Sequence, residues 1–117
     1  MNIEILRNYC LNKKGVTESF PFDKTTLVFK VLDKMFVLTD LEGTLTVNLK
    51  CDPDNAIDLR EKYEQITSAF HMNKKHWNSI KIDGSISDRQ IKEWIDDSYN
   101  LVTVKMTKKD KQRLTDL

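Results

Sequence analysis

The stretch that decides the fold covers residues 25–49 and reads TTLVFKVLDKMFVLTDLEGTLTVNL. Its apolar residues recur at a period of two in three successive segments, which is typical of half-buried β-strands. The positions that we assign to the core face are Leu27, Phe29, Val31, Phe36, Leu38, Leu45, Val47 and Leu49. Asp33 and Gly43 fall in the two short connections, where a residue that tolerates a positive φ is needed. The pattern predicts three consecutive antiparallel strands with one core face and one wet face.

A helix is predicted on each side of these strands. Ile3, Leu6 and Cys10 share one stripe of an N-terminal helix that ends before Gly15. The pair Asp52-Pro53 is typical of a helix start, because aspartate caps free backbone amides and proline fits the first helical position. Residues 16–22, which lie between the first helix and the first strand, are interpreted as an irregular, proline-bearing link.

The C-terminal half continues the alternation of strands and helices. Residues 66–70 and 78–82 are predicted to be extended. Ser87 and Gln90 form a capping-box pattern ahead of a long amphipathic helix. The predicted element order is therefore α-β-β-β-α-β-β-α within one domain that covers residues 1–117.

This order indicates a two-layer α+β fold. An uninterrupted antiparallel meander with helices at both ends places the N- and C-terminal helices side by side on one sheet face. The other face is predicted to be free, and it is either a partner surface or simply solvated.

Composition excludes several classes of protein. The 19 basic and 18 acidic residues leave a net charge of +1, so any basic face must be local. No apolar run approaches the roughly 18 residues that span a bilayer, and the N terminus lacks a signal-peptide pattern. We therefore expect a cytoplasmic chain without membrane contact. Cys10 and Cys51 are too few and too far apart for a disulfide scaffold or a Cys-x-x-Cys site, so both are expected to be reduced.

The heptad at 71–77, HMNKKHW, concentrates hydrogen-bond donors beside aromatic residues. Lys74, Lys75 and Lys81 each have the charge to neutralise a phosphate. Asn73 suits a phosphate oxygen or a base edge, and Trp77 suits stacking on an exposed base. The alternative is structural, with Trp77 as a core anchor and the lysines as ordinary solvated charge.

Patterns for metal binding and catalysis are weak. His71 and His76 are five residues apart, which does not place them on one helical face, and no nearby ligand completes a site. Cys51 follows a strand and precedes two aspartates, whose charge would raise the pKa of its thiol. Glycines occur singly, without a phosphate-loop spacing. We expect no catalytic residues, no metal and no cofactor.

The C-terminal tail, residues 105–113, is the most basic part of the chain. Thr107 and Asp110 are spaced to start one more helical turn. The alternative, a frayed solubilising end, is the one that we favour from the sequence.

Several motifs occur together in a recognisable order. They are Ser19-Phe20-Pro21-Phe22, Val28-Phe29-Lys30-Val31, Lys34-Met35-Phe36, Lys50-Cys51-Asp52-Pro53, His71-Met72-Asn73-Lys74-Lys75-His76-Trp77, Asp83-Gly84-Ser85 and Ser98-Tyr99-Asn100-Leu101-Val102. From about Gly15 to Met106 the chain thereby resembles the MmcQ/YjbR family of small bacterial proteins. The resemblance implies a CyaY-like α+β fold and a double-wing mode of DNA binding in which sheet loops flank a helix.

The resemblance also marks candidate positions for DNA binding. They are Asn73, Lys74, Lys75, His76 and Trp77, with Lys30 and Lys34 on the first hairpin as wing contacts. Two departures from the family pattern are Leu32-Asp33, at a turn where relatives often have glycines, and Ser68-Ala69, in place of a usual Pro-Gly.

CyaY-like folds include frataxin, which binds iron through an acidic ridge. The first helix here carries only Glu4, so iron binding is not expected.

Our leading hypothesis from the sequence is a non-catalytic domain that binds DNA weakly through phosphate contacts. The alternative is a protein-interaction module that uses the open sheet face and has no nucleic-acid role. A third, more remote possibility is a small-molecule or metal site near His71, His76 and Cys51.

Overall fold

A computed structural model describes residues 1–69 and 72–117 of the chain. Within these residues the elements are, in order, α1 (Ile3–Leu11), β1 (Val16–Ser19), β2 (Thr26–Val31), β3 (Lys34–Asp40), β4 (Thr46–Lys50), α2 (Pro53–Lys62), β5 (Ile66–Ser68), β6 (Trp77–Lys81), α3 (Asp88–Val104) and α4 (Lys108–Thr115). The predicted α+β fold is confirmed. In the described part of the chain, no helix combines the length and the apolar character that crossing a membrane requires.

The strands form one antiparallel sheet in the order β1-β2-β3-β4-β6-β5. The predicted meander corresponds to β2, β3 and β4. Its first turn places Leu32 at φ 45° and Asp33 at φ 73°, and two successive positive φ angles match the right-handed twist of a tight hairpin. Aspartate tolerates this conformation better than most residues, so the departure from glycine at this turn keeps the hairpin intact.

One predicted link is in fact a strand. Residues 16–19 form β1, which pairs with β2 from Val16 opposite Val31 to Ser19 opposite Val28. The sequence VTES contains one apolar residue and therefore shows no alternating pattern. Pairing with β2 and an ion pair between Arg7 and Glu18 hold this edge strand in place.

A β-bulge changes the faces of β3. The pairing shifts between Phe29, which lies opposite Val37, and Lys30, which lies opposite Met35. Phe36 is therefore the extra residue, and both Phe36 and Val37 are buried on the helix side. Leu38 lies on the opposite face, so the prediction that Phe36 and Leu38 share a face is wrong.

The helices pack on one face of the sheet, where the larger core cluster lies. Its buried members include Leu6 and Cys10 of α1 and Ile91 and Ile95 of α3. Asp96 joins the two helices, because it accepts hydrogen bonds from the Tyr9 hydroxyl at 2.7 Å and from Lys13 at 2.5 Å. The predicted side-by-side packing of the terminal helices is confirmed for α1 and α3.

The opposite face is only partly free. A second, smaller cluster lies on it and consists of Val28, Leu38, Ala69 and Trp77, with Met35 and Met72 packed against it. Ala69 and Met72, from the connection between β5 and β6, thus cover the apolar part of this face. The remaining positions are polar, as the alternation in β4 predicts.

The basic tail forms helix α4 and is not frayed. Thr107 caps the helix by accepting a hydrogen bond from the backbone N–H of Asp110 at 3.1 Å, which is the alternative that the sequence left open. Leu114 packs against the core cluster, and Lys14 donates to the carbonyl of Thr115 at 2.8 Å. Tertiary contacts at one side chain therefore order a helix whose other residues are almost all polar.

The Ser98 hydroxyl fixes α3 to the bulge. Ser98 is fully buried, donates to the carbonyl of Phe36 at 2.6 Å and accepts from the backbone N–H of Lys50 at 2.9 Å.

We predict that Ser98→Ala lowers the free energy of unfolding by about 1–3 kcal/mol, because it leaves buried backbone groups unpaired. Urea unfolding measures this loss. Thr103→Ala, on the same helix but partly exposed, is the matched control, and an equal effect of the two changes would contradict the prediction.

Substitution of Gly15 tests whether α4 packs tightly against this residue. A Cβ at Gly15 would lie 2.6 Å from the Leu114 side chain, and φ is +77°, whereas Gly43 has φ +69° with nothing within 4 Å. Gly15→Ala and Gly43→Ala share the backbone strain, so their difference reports the steric conflict alone. We expect Gly15→Ala to cost about 1–3 kcal/mol more than Gly43→Ala in urea unfolding. Equal losses would show that α4 does not pack tightly on Gly15.

Candidate functional site

Several connections meet at one end of the sheet, which we call the hairpin end. The β2–β3 turn lies there, since Val31 pairs with Lys34. The last residue of β4, Lys50, pairs with the first residue of β6, Trp77, at the same end. The segment that precedes β6 is thereby brought beside the first hairpin. The first hairpin, which the family resemblance marks for wing contacts, and the segment with the other candidate residues therefore lie at the same end of the sheet.

A row of side chains crosses the open face at the hairpin end. Lys30 lies opposite Met35, and Lys50 lies opposite Trp77. Directly paired residues of antiparallel strands point to the same face. Met35 and Trp77 belong to the small apolar cluster, so the two lysines flank an apolar base.

Lys50 lies in a partly buried, positively charged environment. Burial lowers the pKa of its ammonium group, and the charge of Lys105 lowers it further. Lys105 caps the C-terminal end of α3, so two separated segments bring positive charge to this end of the molecule. Lys50 is not among the site residues predicted from the sequence, although the alternation in β4 places it on the open face.

The backbone around Asn73 shapes the segment 72–76. The Asn73 carbonyl accepts from the backbone N–H groups of His76 at 3.1 Å and Trp77 at 3.0 Å, and its side-chain oxygen accepts from the N–H of Lys75 at 2.9 Å. Lys74 and Lys75 are exposed as a result. The His76 carbonyl accepts from the N–H of Cys51 at 2.7 Å, which ties the segment to the end of β4. His71, which shared the metal hypothesis with His76, lies outside the described residues.

Trp77 packs as an anchor. Only 7% of its surface is exposed, and it contacts the cluster of Val28, Leu38 and Ala69. The position of Trp77 therefore matches the alternative in which this residue is a core anchor. A role in base stacking stays a prediction and requires the indole to leave this cluster.

Lys81 is separated from the other candidate lysines. It is the last residue of β6, four residues beyond Trp77 and hence about 13 Å along the strand. It lines a shallow groove with Glu64, Thr46 and Ser79 near the opposite end of the open face. The structure brings together Lys30, Lys34, Lys74 and Lys75 at the hairpin end and places Lys81 apart from them.

The lysines at the hairpin end are not neutralised by carboxylates. Within residues 1–69 and 72–117, no ion pair involves Lys30, Lys34, Lys74 or Lys75. Lys34, Lys74 and Lys75 are exposed, and Lys30 is half-buried. Acidic residues of the connections at the other end of the sheet are Asp40, Glu42 and Asp83. Asp33 in the β2–β3 turn and Asp52 after β4 lie at the hairpin end as well, so carboxylates are present at both ends of the sheet.

Cys51 is a poor nucleophile in this environment. Burial raises the pKa of its thiol, and the charges of Asp52 and Asp97 raise it further, while a hydrogen bond from Asn55 lowers it. The predicted effect is found for Asp52 but not for Asp54, the second charge is that of Asp97, and burial is the largest cause. Among the described residues, no group of three or more His, Cys, Asp or Glu side chains is arranged to hold a metal ion.

Alkylation by iodoacetamide tests the thiol environment. We expect Cys10 to stay unmodified in the native protein, since it is fully buried with a pKa of about 12. Cys51 is expected to react more slowly than a free thiol, because only the thiolate attacks. Asp97→Asn removes one charge that raises the thiol pKa and should speed the reaction at Cys51, whereas Glu93→Gln should not. Equal rates in these variants would contradict the assignment.

Comparison with known proteins gives a family and closely similar structures. The model of a family described as YjbR matches residues 11–101. The uncharacterized protein YbdF of Escherichia coli O157:H7 is 35% identical over 112 residues, which are 95% of this chain and 92% of that protein. The uncharacterized protein YjbR of Escherichia coli K12 is 33% identical over 115 residues, or 97% of each chain.

Two solved structures share the fold. The crystal structure of the Deinococcus radiodurans protein DR2400, with a DUF419 domain, has a TM-score of 0.91 and 38% identity, covering 97% of this chain and 88% of that one. The crystal structure of a Pseudomonas syringae protein has a TM-score of 0.76 and 28% identity, covering 86% of this chain and 98% of that one. The element order and the hairpin end described above are therefore features of a shared fold.

Proposed function

The chain belongs to the YjbR family, and on that premise we propose that it is a non-catalytic domain that binds DNA through lysine contacts to phosphates at the hairpin end. The observation that carries this proposal is the placement of two lysine-bearing loops side by side. One is the β2–β3 hairpin with Lys30 and Lys34, and the other is the segment with Lys74 and Lys75. The first of these loops carries the wing contacts that the family resemblance implies, and the second carries its other candidate residues.

The spacing of the loops suits a duplex. Two strand spacings of about 4.8 Å separate β3 from β6, which places the loops roughly 10 Å apart. The major groove of B-form DNA is about 12 Å wide. Ammonium groups on both loops are therefore spaced to reach phosphates of the same duplex. Helix α4 adds further basic residues at the hairpin end, because Leu114 lies against Gly15 and near Leu32 in the hairpin turn.

The proposed binding is weak and independent of base sequence. Phosphate contacts position a protein on DNA without reading its sequence. The Trp77 indole is buried, and the side-chain oxygen of Asn73 already accepts a hydrogen bond from Lys75. Neither side chain is therefore presented to base edges in this conformation.

The alternative hypothesis uses the open face for a protein partner. The apolar residues on that face are already covered by the chain itself, since Val28 is 0% and Leu38 4% exposed. Unpaired lysines around a covered apolar base favour an anionic ligand over apolar docking. The protein-interaction module remains the outcome to which a negative DNA result would point.

Titration of a duplex oligonucleotide at two salt concentrations tests the proposal. Three to five phosphate contacts predict a slope of log K against log salt of about −3 to −4.5. Lys74→Glu/Lys75→Glu should weaken binding for every sequence and flatten this slope by about 2.

The matched control is Lys24→Glu/Arg89→Glu. It makes the same change in net charge at exposed positions, one preceding β2 and one at the start of α3, both away from the hairpin end. Equal loss of affinity in the two double variants would show that only net charge matters. Salt-insensitive binding, or no binding at millimolar protein, would also overturn the proposal.

A further inference from the structure

A cleft between α2 and α3 lies at the hairpin end on the helix side of the sheet. Its volume is about 400 Å³. Leu101 and Val104 form its apolar wall, and Val104 is 63% exposed. The polar residues that line it are Cys51, Asp52, Asn55, Asp97 and Asn100. The phosphate contacts proposed above use none of these groups.

A small inner lobe lies beneath this cleft. The lobe and the cleft share Cys51, Asn55 and Asp97 as lining residues, and the lobe has a volume of about 20 Å³. A space of this size holds one water molecule or a group of similar size. The lobe is otherwise walled by apolar side chains, including Leu59 and Trp94.

An unpaired acceptor lines the inner lobe. Asn78 is 2% exposed, and its side-chain N–H₂ group donates to the carbonyl of Ala56 at 3.2 Å. This bond fixes the orientation of the amide, so the other atom is the oxygen. The Oδ1 atom of Asn78 is buried and has no hydrogen-bond partner in residues 1–69 and 72–117. Buried acceptors are almost always paired, so a donor supplied from outside the chain fits this position.

Negative charge lies beside the same lobe. Asp97 has no ion-pair partner among the described residues, and its carboxylate faces further negative charge from Asp96 and Glu93 on α3. Burial and these two neighbours raise the pKa of Asp97. A cation in the lobe would relieve both effects.

The basic residues nearest to the site are Arg60 and Lys50, and Lys105 directly follows Val104 of the cleft wall. The Nε atom of Arg60 donates to the carbonyl of Ala56 at 3.2 Å. Lys50 contributes to the lining of the lobe, but it pairs with Trp77, whose side chain lies on the opposite face of the sheet. The site therefore combines acceptors and the Asp97 carboxylate with an apolar wall, and the positive charges of Lys50 and Lys105 lie at its border.

We propose that this cleft binds a small organic primary amine, with its ammonium group in the inner lobe and its apolar body along Leu101 and Val104. An ammonium group is close to water in size and carries three donors and no acceptor. Asn78 Oδ1 and the Asp97 carboxylate are acceptors that match those donors. This inference goes beyond the proposed DNA binding, because none of the lysines proposed to contact phosphates lines the cleft or the lobe.

Binding of 2-phenylethylamine at neutral pH tests the proposal, with 2-phenylethanol and 3-phenylpropionate as probes of similar shape. In ¹H–¹⁵N correlation spectra, the amine should shift the side-chain signals of Asn78 and the backbone signals of Leu101 and Val104 at millimolar concentration. The alcohol and the acid should not. Equal shifts with the alcohol, or none with the amine, would overturn the proposal and leave the lobe as a water site.

Variants separate this site from the DNA interface. Asp97→Asn, at an exposed position, should weaken amine binding about tenfold, which is the effect of losing one charged hydrogen bond. Glu42→Gln makes the same change in charge at an exposed position in the β3–β4 connection, at the opposite end of the sheet, and should leave the affinity unchanged. Lys74→Glu/Lys75→Glu should bind the amine as the unmodified protein does, even where DNA binding is lost. An equal effect of Asp97→Asn and Glu42→Gln would contradict the site.

Discussion

The β-bulge at Phe36, held by the buried hydroxyl of Ser98, organises both faces of the sheet. Without the bulge, strict alternation would send Phe36 and Leu38 to the same side. With it, Phe36 and Val37 both face the helices, and Leu38 joins the small cluster on the other face. Ser98 connects the bulge to the end of β4 through the N–H of Lys50. One hydroxyl group thus joins three elements at the end of the sheet where the candidate sites lie.

The small cluster on the open face links packing to the proposed function. Trp77 fills the space above Leu38 and Val28, and Met72 closes it from the segment before β6. This packing positions the segment next to the first hairpin, so Lys74 and Lys75 project from a supported loop. Trp77, which the sequence suggested as a stacking platform, anchors the segment that bears Lys74 and Lys75.

Features that depend on local chemistry could be predicted. Asp52 caps α2 and Ser87 caps α3 as expected, because a side-chain oxygen at that position pairs with free amides of the next turn. The turn at Asp33 was predictable for a similar reason, since few residues accept a positive φ. Edge strand β1 was not predictable, and of helix α4 only the cap at Thr107 was, because each element depends on a partner distant in sequence: β2 for the strand, and Gly15 with its neighbours for the helix.

In the candidate sites, too, some features follow from neighbouring residues and others depend on long-range contacts. Sequence alone identified the meander, the helix starts and the lysine-rich heptad, since periodicity and capping are properties of neighbouring residues. Only the tertiary structure showed that Lys30 and Lys34 lie beside Lys74 and Lys75 while Lys81 lies apart. It alone showed that Asn78 is left with an unpaired oxygen beneath the α2–α3 cleft. Strand register, the bulge and the packing of helices on the sheet decide these distances, because they are set by contacts between residues far apart in the chain.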